Sequence, residues 1–136
     1  MKARDLKLTE LRPQILSARI LPGMRAEEFF QNKTLRPIIK LQNDLLIAVF
    51  KNYIQKNKNR FYDINLEKRL AYIEHAIHKD IKFRNSLKGI ILGQFTLEEY
   101  ELYIQNSSAL NKRMMNLVIQ RIQDQVQLLE PNCVLN

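Results

Sequence analysis

Residues 80–103 read DIKFRNSLKGIILGQFTLEEYELY and hold two of the chain's three glycines. Asp80 is a residue type that caps helix N-termini, and the spacing predicts a helix from it to Gly93. A second helix is expected after Thr96. TLEE at 96–99 is a capping box, in which the Thr96 hydroxyl accepts from the Glu99 backbone N–H and the Glu99 carboxylate accepts from that of Thr96. Phe95 and Tyr100 are spaced as a hydrophobic staple, and Leu97, Tyr100 and Ile104 are expected to face inward. The stretch therefore reads as a corner between two packed helices.

Towards the N-terminus, Asn65 is placed to cap a helix whose Leu66, Leu70, Ile73 and Ile77 alternate at spacings of four and three. The stripe slips near Asp80, so a break is expected at 78–80. The preceding run 51–60, KNYIQKNKNR, has four basic residues and no acid, which fits a helix fraying into a solvated loop that Phe61, Tyr62 and Ile64 tuck back. Thr34 with Pro37 in the first turn predicts a helix start. From it Leu35, Ile38, Ile39, Leu41, Leu45, Leu46, Ala48, Val49, Phe50, Tyr53 and Ile54 cover more than half the circumference of the segment 35–57, expected to be the most buried helix. Residues 24–32 are expected to form a brief helix, with Glu27 and Glu28 favoured in its first turns by the helix dipole. Towards the C-terminus, Ser108 is expected to cap a last helix carrying Leu110, Met114, Leu117 or Val118, Ile122, Val126 and Leu129, ended by Pro131.

These readings give an all-α fold, a compact helical bundle of about five helices with an extended N-terminal arm. The arm is 1–23, with one short helix after Pro13, packed on the domain or a partner. The single helical domain is 24–130, and 131–136 is a disordered tail. Three glycines and four prolines in 136 residues fit this class. Cys133, the one cysteine, cannot form an intrachain disulfide. No uncharged apolar run approaches the ~18–20 residues of a membrane span, so no membrane role is expected and a cytoplasmic location follows by default.

The formal net charge is +8, densest in residues 1–40, where nine cationic side chains face four acidic ones. Such a chain suits an anionic partner. Lys51, Lys56, Lys58 and Arg60 from one segment, with Lys79, Lys82, Arg84 and Lys88 beside the corner, are the candidate polyanion-binding residues. The helix after the corner is acidic, which argues against a DNA-reading helix-turn-helix. Glu98, Glu99 and Glu101 on it suit the helix dipole better than acid–base chemistry. His75 and His78 share a helix face near Glu74 and Asp80, yet zinc needs three or four ligands and the spacing is not that of a zincin. They remain weak metal candidates. No nucleophile–base pair and no phosphate loop is present, so no catalytic residue and no cofactor is assigned.

The runs TLRPIIKLQNDLL at 34–46, KDIKFRNSLKGIILGQFTLEEYELY at 79–103 and NKRMMNLVIQRIQDQ at 111–125, with LRP at 11–13, resemble a small bacterial family of short all-helical proteins that often carry the label glyoxalase. Glyoxalase I enzymes are built from βαβββ modules that hold a divalent metal through His and Glu on separate strands. No residue here matches that motif, so the resemblance implies an all-α fold and brings no catalytic position. Three functions follow in order: a protein-interaction or regulatory module that self-associates through the wide apolar face of 35–57, as a homodimer for instance; a binder of nucleic acid or another polyanion; and a glyoxalase-type enzyme.

Overall fold

The computed structural model describes residues 2–15 and 19–132, and among them the fold is all-α, with seven helices and no strand. α1 is Ala3–Leu11. α2 spans residues 26–41 as α-helical Ala26–Phe30, a π-helical turn Gln31–Leu35 and α-helical Arg36–Leu41. α3 is Asn43–Lys56, α4 Leu66–Lys79, α5 Ile81–Leu92, α6 Leu97–Ile104 and α7 Ser107–Asp124. Short 3-10 turns follow at Arg60–Asp63 and Val126–Leu129. No helix among the described residues is long and apolar enough to cross a membrane. Cys133 and most of the tail lie outside the described residues, as do residues 16–18 of the arm.

The seven helices exceed the expected number of about five, and two placements differ from the expectation. The arm carries a helix ahead of Pro13, whose only buried residue is Asp5. With no apolar stripe to announce it, this helix is held by polar contacts. The expected long segment 35–57 is also not one helix. Its first part continues α2, and the chain then breaks at Gln42, whose backbone leaves the helical region at φ −88° and ψ 8°. The Gln42 amide donates to the Ile90 carbonyl at 3.2 Å, which pins the break to α5.

Thr34 does not cap a helix. It is buried in the π-helical turn, three residues before Pro37. A proline ring clashes with the carbonyl four residues earlier and donates no N–H, and the wider π turn ahead of it, with Arg36 N–H bonded to the Gln31 carbonyl, lets the helix run through. Ser108 likewise is not a cap: α7 starts one residue earlier, and Asn106 occupies the N-cap position with its side chain turned to Glu27 instead.

Local signals fare better. Asn65 Oδ1 accepts from Lys68 N–H, and Asp80 Oδ1 accepts from Phe83 N–H. Asp80 is at once the end of α4 and the cap of α5, so the expected break falls on it. Both bonds of the Thr96–Glu99 capping box are present.

The core gathers around Phe50, whose ring lies 5.7–6.4 Å from those of Tyr53, Phe61, Tyr72 and Phe83. Leu35, Ile38, Ile39, Leu46, Ile47 and Ile54 from α2 and α3 are fully buried or nearly so, against Ile73 and Ile77 of α4, Leu87 and Ile91 of α5 and Met114, Val118 and Ile122 of α7. The apolar coverage of 35–57 is thus consumed inside the chain, apart from Leu45 and Ala48, which face solvent. Replacing Phe50 by Ala removes the ring at the centre of this cluster. We expect the unfolding free energy from urea titration to fall by about 3–5 kcal/mol.

Candidate functional site

The 93–99 corner is fastened by the arm. Arg12 Nη1 and Nη2 donate to Glu99 Oε2 and Oε1 at 2.6 and 2.7 Å, a two-pronged ion pair between side chains only 9 and 13% exposed. Arg12 Nη2 also donates to the Gln94 carbonyl. Glu99 accepts two further bonds, from Thr96 N–H at 2.8 Å and from the Thr34 hydroxyl at 3.1 Å, so one carboxylate joins the arm, α2 and α6. Beside it, Arg4 donates to the carbonyls of Phe95 and Gly93, and Asp5 Oδ2 accepts from Leu97 N–H.

Of the three acidic residues on α6, Glu99 is therefore a buried structural anion. Burial pushes its carboxyl up, but the hydrogen bonds from Arg12, Thr96 and Thr34 and the Arg12 charge outweigh burial and hold it below its ordinary value.

The inward face expected of α6 is reversed. Leu97, Tyr100 and Ile104 are 53, 49 and 54% exposed, and Tyr103 is the buried ring, 5.6 Å from Phe95. Phe95 packs edge-on against Phe30 and Tyr103, so the expected Phe95–Tyr100 staple does not form. Helical spacing correctly puts Leu97, Tyr100 and Ile104 on one side of α6, but it is the side turned to solvent.

The cationic candidates divide between two places. Lys56, Lys58 and Arg60, with Tyr53, Asn57, Tyr72, His75 and Ala76, line a depression of about 390 Å³. Lys79 and Lys82, with Tyr53, His75, Ala76, Asp80 and Ile81, line a second of about 500 Å³. The two share Tyr53, His75 and Ala76, so they form one trough between the end of α3 and the α4–α5 junction. Arg84 and Lys88 lie elsewhere, with His78 and Lys112, around a depression of about 430 Å³. Lys51, on α3, lines neither.

Local structure explains how the trough is shaped. After Lys56 the chain turns through two left-handed residues, Lys58 at φ 64° and Asn59 at φ 57°, a conformation that non-glycine residues other than asparagine and aspartate seldom adopt. This turn brings Lys58 and Arg60 to the first depression, and the one-residue break between α4 and α5 at Asp80 brings Lys79 and Lys82 to the second. Tyr53 stacks on Phe83 with ring centroids 4.0 Å apart, and its hydroxyl donates to Asp80 Oδ2 at 3.1 Å. Burial first, then the bond and charge of Asp80, push the Tyr53 hydroxyl up to about 12. Among the described residues Asp80 is the one carboxylate lining the trough, and Tyr53 and Phe83 N–H already engage it.

His75 and His78 share no depression. His75 stands among the lysines of the trough, where a metal cation meets like charge, and among the described residues no group of three or more His, Cys, Asp or Glu is placed to hold a metal ion. The aromatic floor of the trough was not singled out from the sequence. Its signal there is weak, because Tyr53 reads as an ordinary member of the apolar face of 35–57 and Tyr72 falls outside the stripe Leu66, Leu70, Ile73 and Ile77.

No protein-family model matches the chain, and neither a curated protein nor a solved structure does. The site therefore stands on its own geometry.

Glu99 supplies a test of the corner. With its folded value depressed, it contributes stability that is complete above the ordinary glutamate range and lost as the pH falls through the folded value. We expect Glu99→Gln to lower stability at pH 7 by roughly 2–3 kcal/mol, because Arg12 is left buried with a weakened partner. The variant should also lose part of the decline between pH 6 and 3. Urea midpoints across that range measure both.

Proposed function

We infer that the protein is a non-enzymatic binding module whose trough between α3 and α4 receives a polyanion. One observation carries this reading: cationic side chains from two segments some twenty residues apart, Lys56, Lys58 and Arg60 from one and Lys79 and Lys82 from the other, line the same trough. Five like charges around one concavity repel one another, and an anion that neutralises them relieves that repulsion and releases its own counterions. The lone carboxylate present is already hydrogen-bonded, so it opposes an anion less than an unengaged one would. On this reading the remaining helices form a compact helical bundle that acts as a rigid scaffold, and a cytoplasmic setting supplies the phosphate-rich partners.

The expected behaviour is steeply salt-dependent binding of phosphate polymers, the logarithm of affinity falling with that of salt by roughly 0.7–0.9 for each phosphate neutralised. Lys58→Glu with Lys82→Glu should weaken binding at least tenfold and flatten the slope by about two. Fluorescence anisotropy over a salt series measures both, and salt-insensitive or absent binding contradicts the reading.

A second reading is contact with a protein partner or another copy of the chain. The specific observation in its favour is the solvent-facing row Leu97, Tyr100 and Ile104 on α6. The segment 35–57 does not support self-association, because most of its apolar side chains are buried within the chain. Sedimentation velocity at micromolar concentration should show concentration-dependent association that Tyr100→Lys abolishes. A strict monomer counts against self-association. The glyoxalase-type enzyme has no observation among the described residues to carry it.

A further inference from the structure

Resting on the polyanion reading, we propose that the trough takes single-stranded nucleic acid, with its sugar–phosphate backbone along the cationic rims and a base against the tyrosine floor. The rims alone would serve any phosphate polymer. The floor is what distinguishes them, because Tyr53 and Tyr72 both line the depression that Lys56, Lys58 and Arg60 border, their ring centroids 6.5 Å apart.

Neither ring is loose. Tyr53 is fixed from behind by stacking on Phe83 and by its hydroxyl bond to Asp80, and Tyr72 packs edge-on against Phe50 and Phe61. Both are intermediate in burial and both line the depression. Arg60 lines the same depression as Tyr72, and its charge opposes the upward push of burial on the Tyr72 hydroxyl. A fixed aromatic surface bordered by cations suits an unpaired base, whose flat face stacks while the phosphates on either side meet lysine and arginine.

A duplex fits less well. Its bases are already stacked on one another, so it gains nothing from the tyrosines, and a protein that reads it places a helix or ribbon in a groove or spans two grooves. Here the cations surround a concavity. Inorganic polyphosphate would use the rims and leave the floor unused.

The chain has no tryptophan and five tyrosines, so its intrinsic fluorescence reports on tyrosine alone. Three probes of matched phosphate number are titrated into the intact protein at one ionic strength: oligothymidylate, a self-complementary duplex and inorganic polyphosphate. Oligothymidylate is expected to bind about tenfold or more tighter than polyphosphate, the scale of one base stacked on an aromatic ring, and to quench tyrosine emission. Lys58→Glu, a change at an exposed position of the depression, should weaken binding and quenching together. Equal affinity for all three without quenching, or tightest binding of the duplex, overturns the single-strand inference and leaves the polyanion reading standing. Failure of all three to bind overturns both. Oligothymidylate binding that Lys58→Glu leaves unchanged places the strand elsewhere and overturns the inference as well.

Discussion

The two-pronged bond between Arg12 and Glu99 is the constraint on which much of the rest depends. It spans 87 positions of sequence and joins an arm, whose one buried residue among those described is Asp5, to the corner at which the chain turns from α5 into α6. Glu99 has no spare capacity, because its oxygens also complete the capping box and accept from Thr34. The same carboxylate therefore starts α6, ties α2 to it and neutralises the buried guanidinium. A charge so enclosed is costly without its partner, which makes the corner an all-or-none assembly rather than a loose turn.

With the corner fixed, α5 is held at both ends. Asp80 caps its start and receives the Tyr53 hydroxyl, while the arm grips the carbonyls of Gly93, Gln94 and Phe95 just past its end. Tyr53 is in turn stacked on Phe83 of α5, so the placement of α5 sets the floor of the cationic trough. The structural and functional arguments meet at Asp80: one residue ends α4, begins α5 and positions an aromatic ring between two groups of cations.

What could be read from the sequence was local. The capping box, the Asn65 cap and the Asp80 break each rest on residues within three positions of one another, and each is present. The same local reasoning misplaced a helix start at Thr34, because threonine followed by a proline in the next turn imitates an N-terminus, and only the π-helical turn lets the helix pass. On α6, periodicity identified the row Leu97, Tyr100 and Ile104 but not the side it faces. That was decided by Phe95 and Tyr103 packing together, a tertiary contact. The Arg12–Glu99 pair left no trace in the sequence, since Arg12 looks like one more surface charge and Glu99 reads as the capping-box partner of Thr96. The basic segments around 56–60 and 79–82 were legible as candidates, whereas their meeting across one trough, and the separation of Arg84 and Lys88 from it, depended on the angle between α3, α4 and α5.

On the polyanion reading this one trough, rather than the general positive charge of the chain, holds the anion. Amide chemical-shift mapping of isotope-labelled protein during titration with a short phosphate polymer separates the two. Binding in the trough gives saturable shifts concentrated at residues 56–60, 72–76 and 79–82, with the amides of 93–99 and of α6 unmoved. Shifts spread over every lysine-bearing surface, or centred on Arg84 and Lys88, would contradict it.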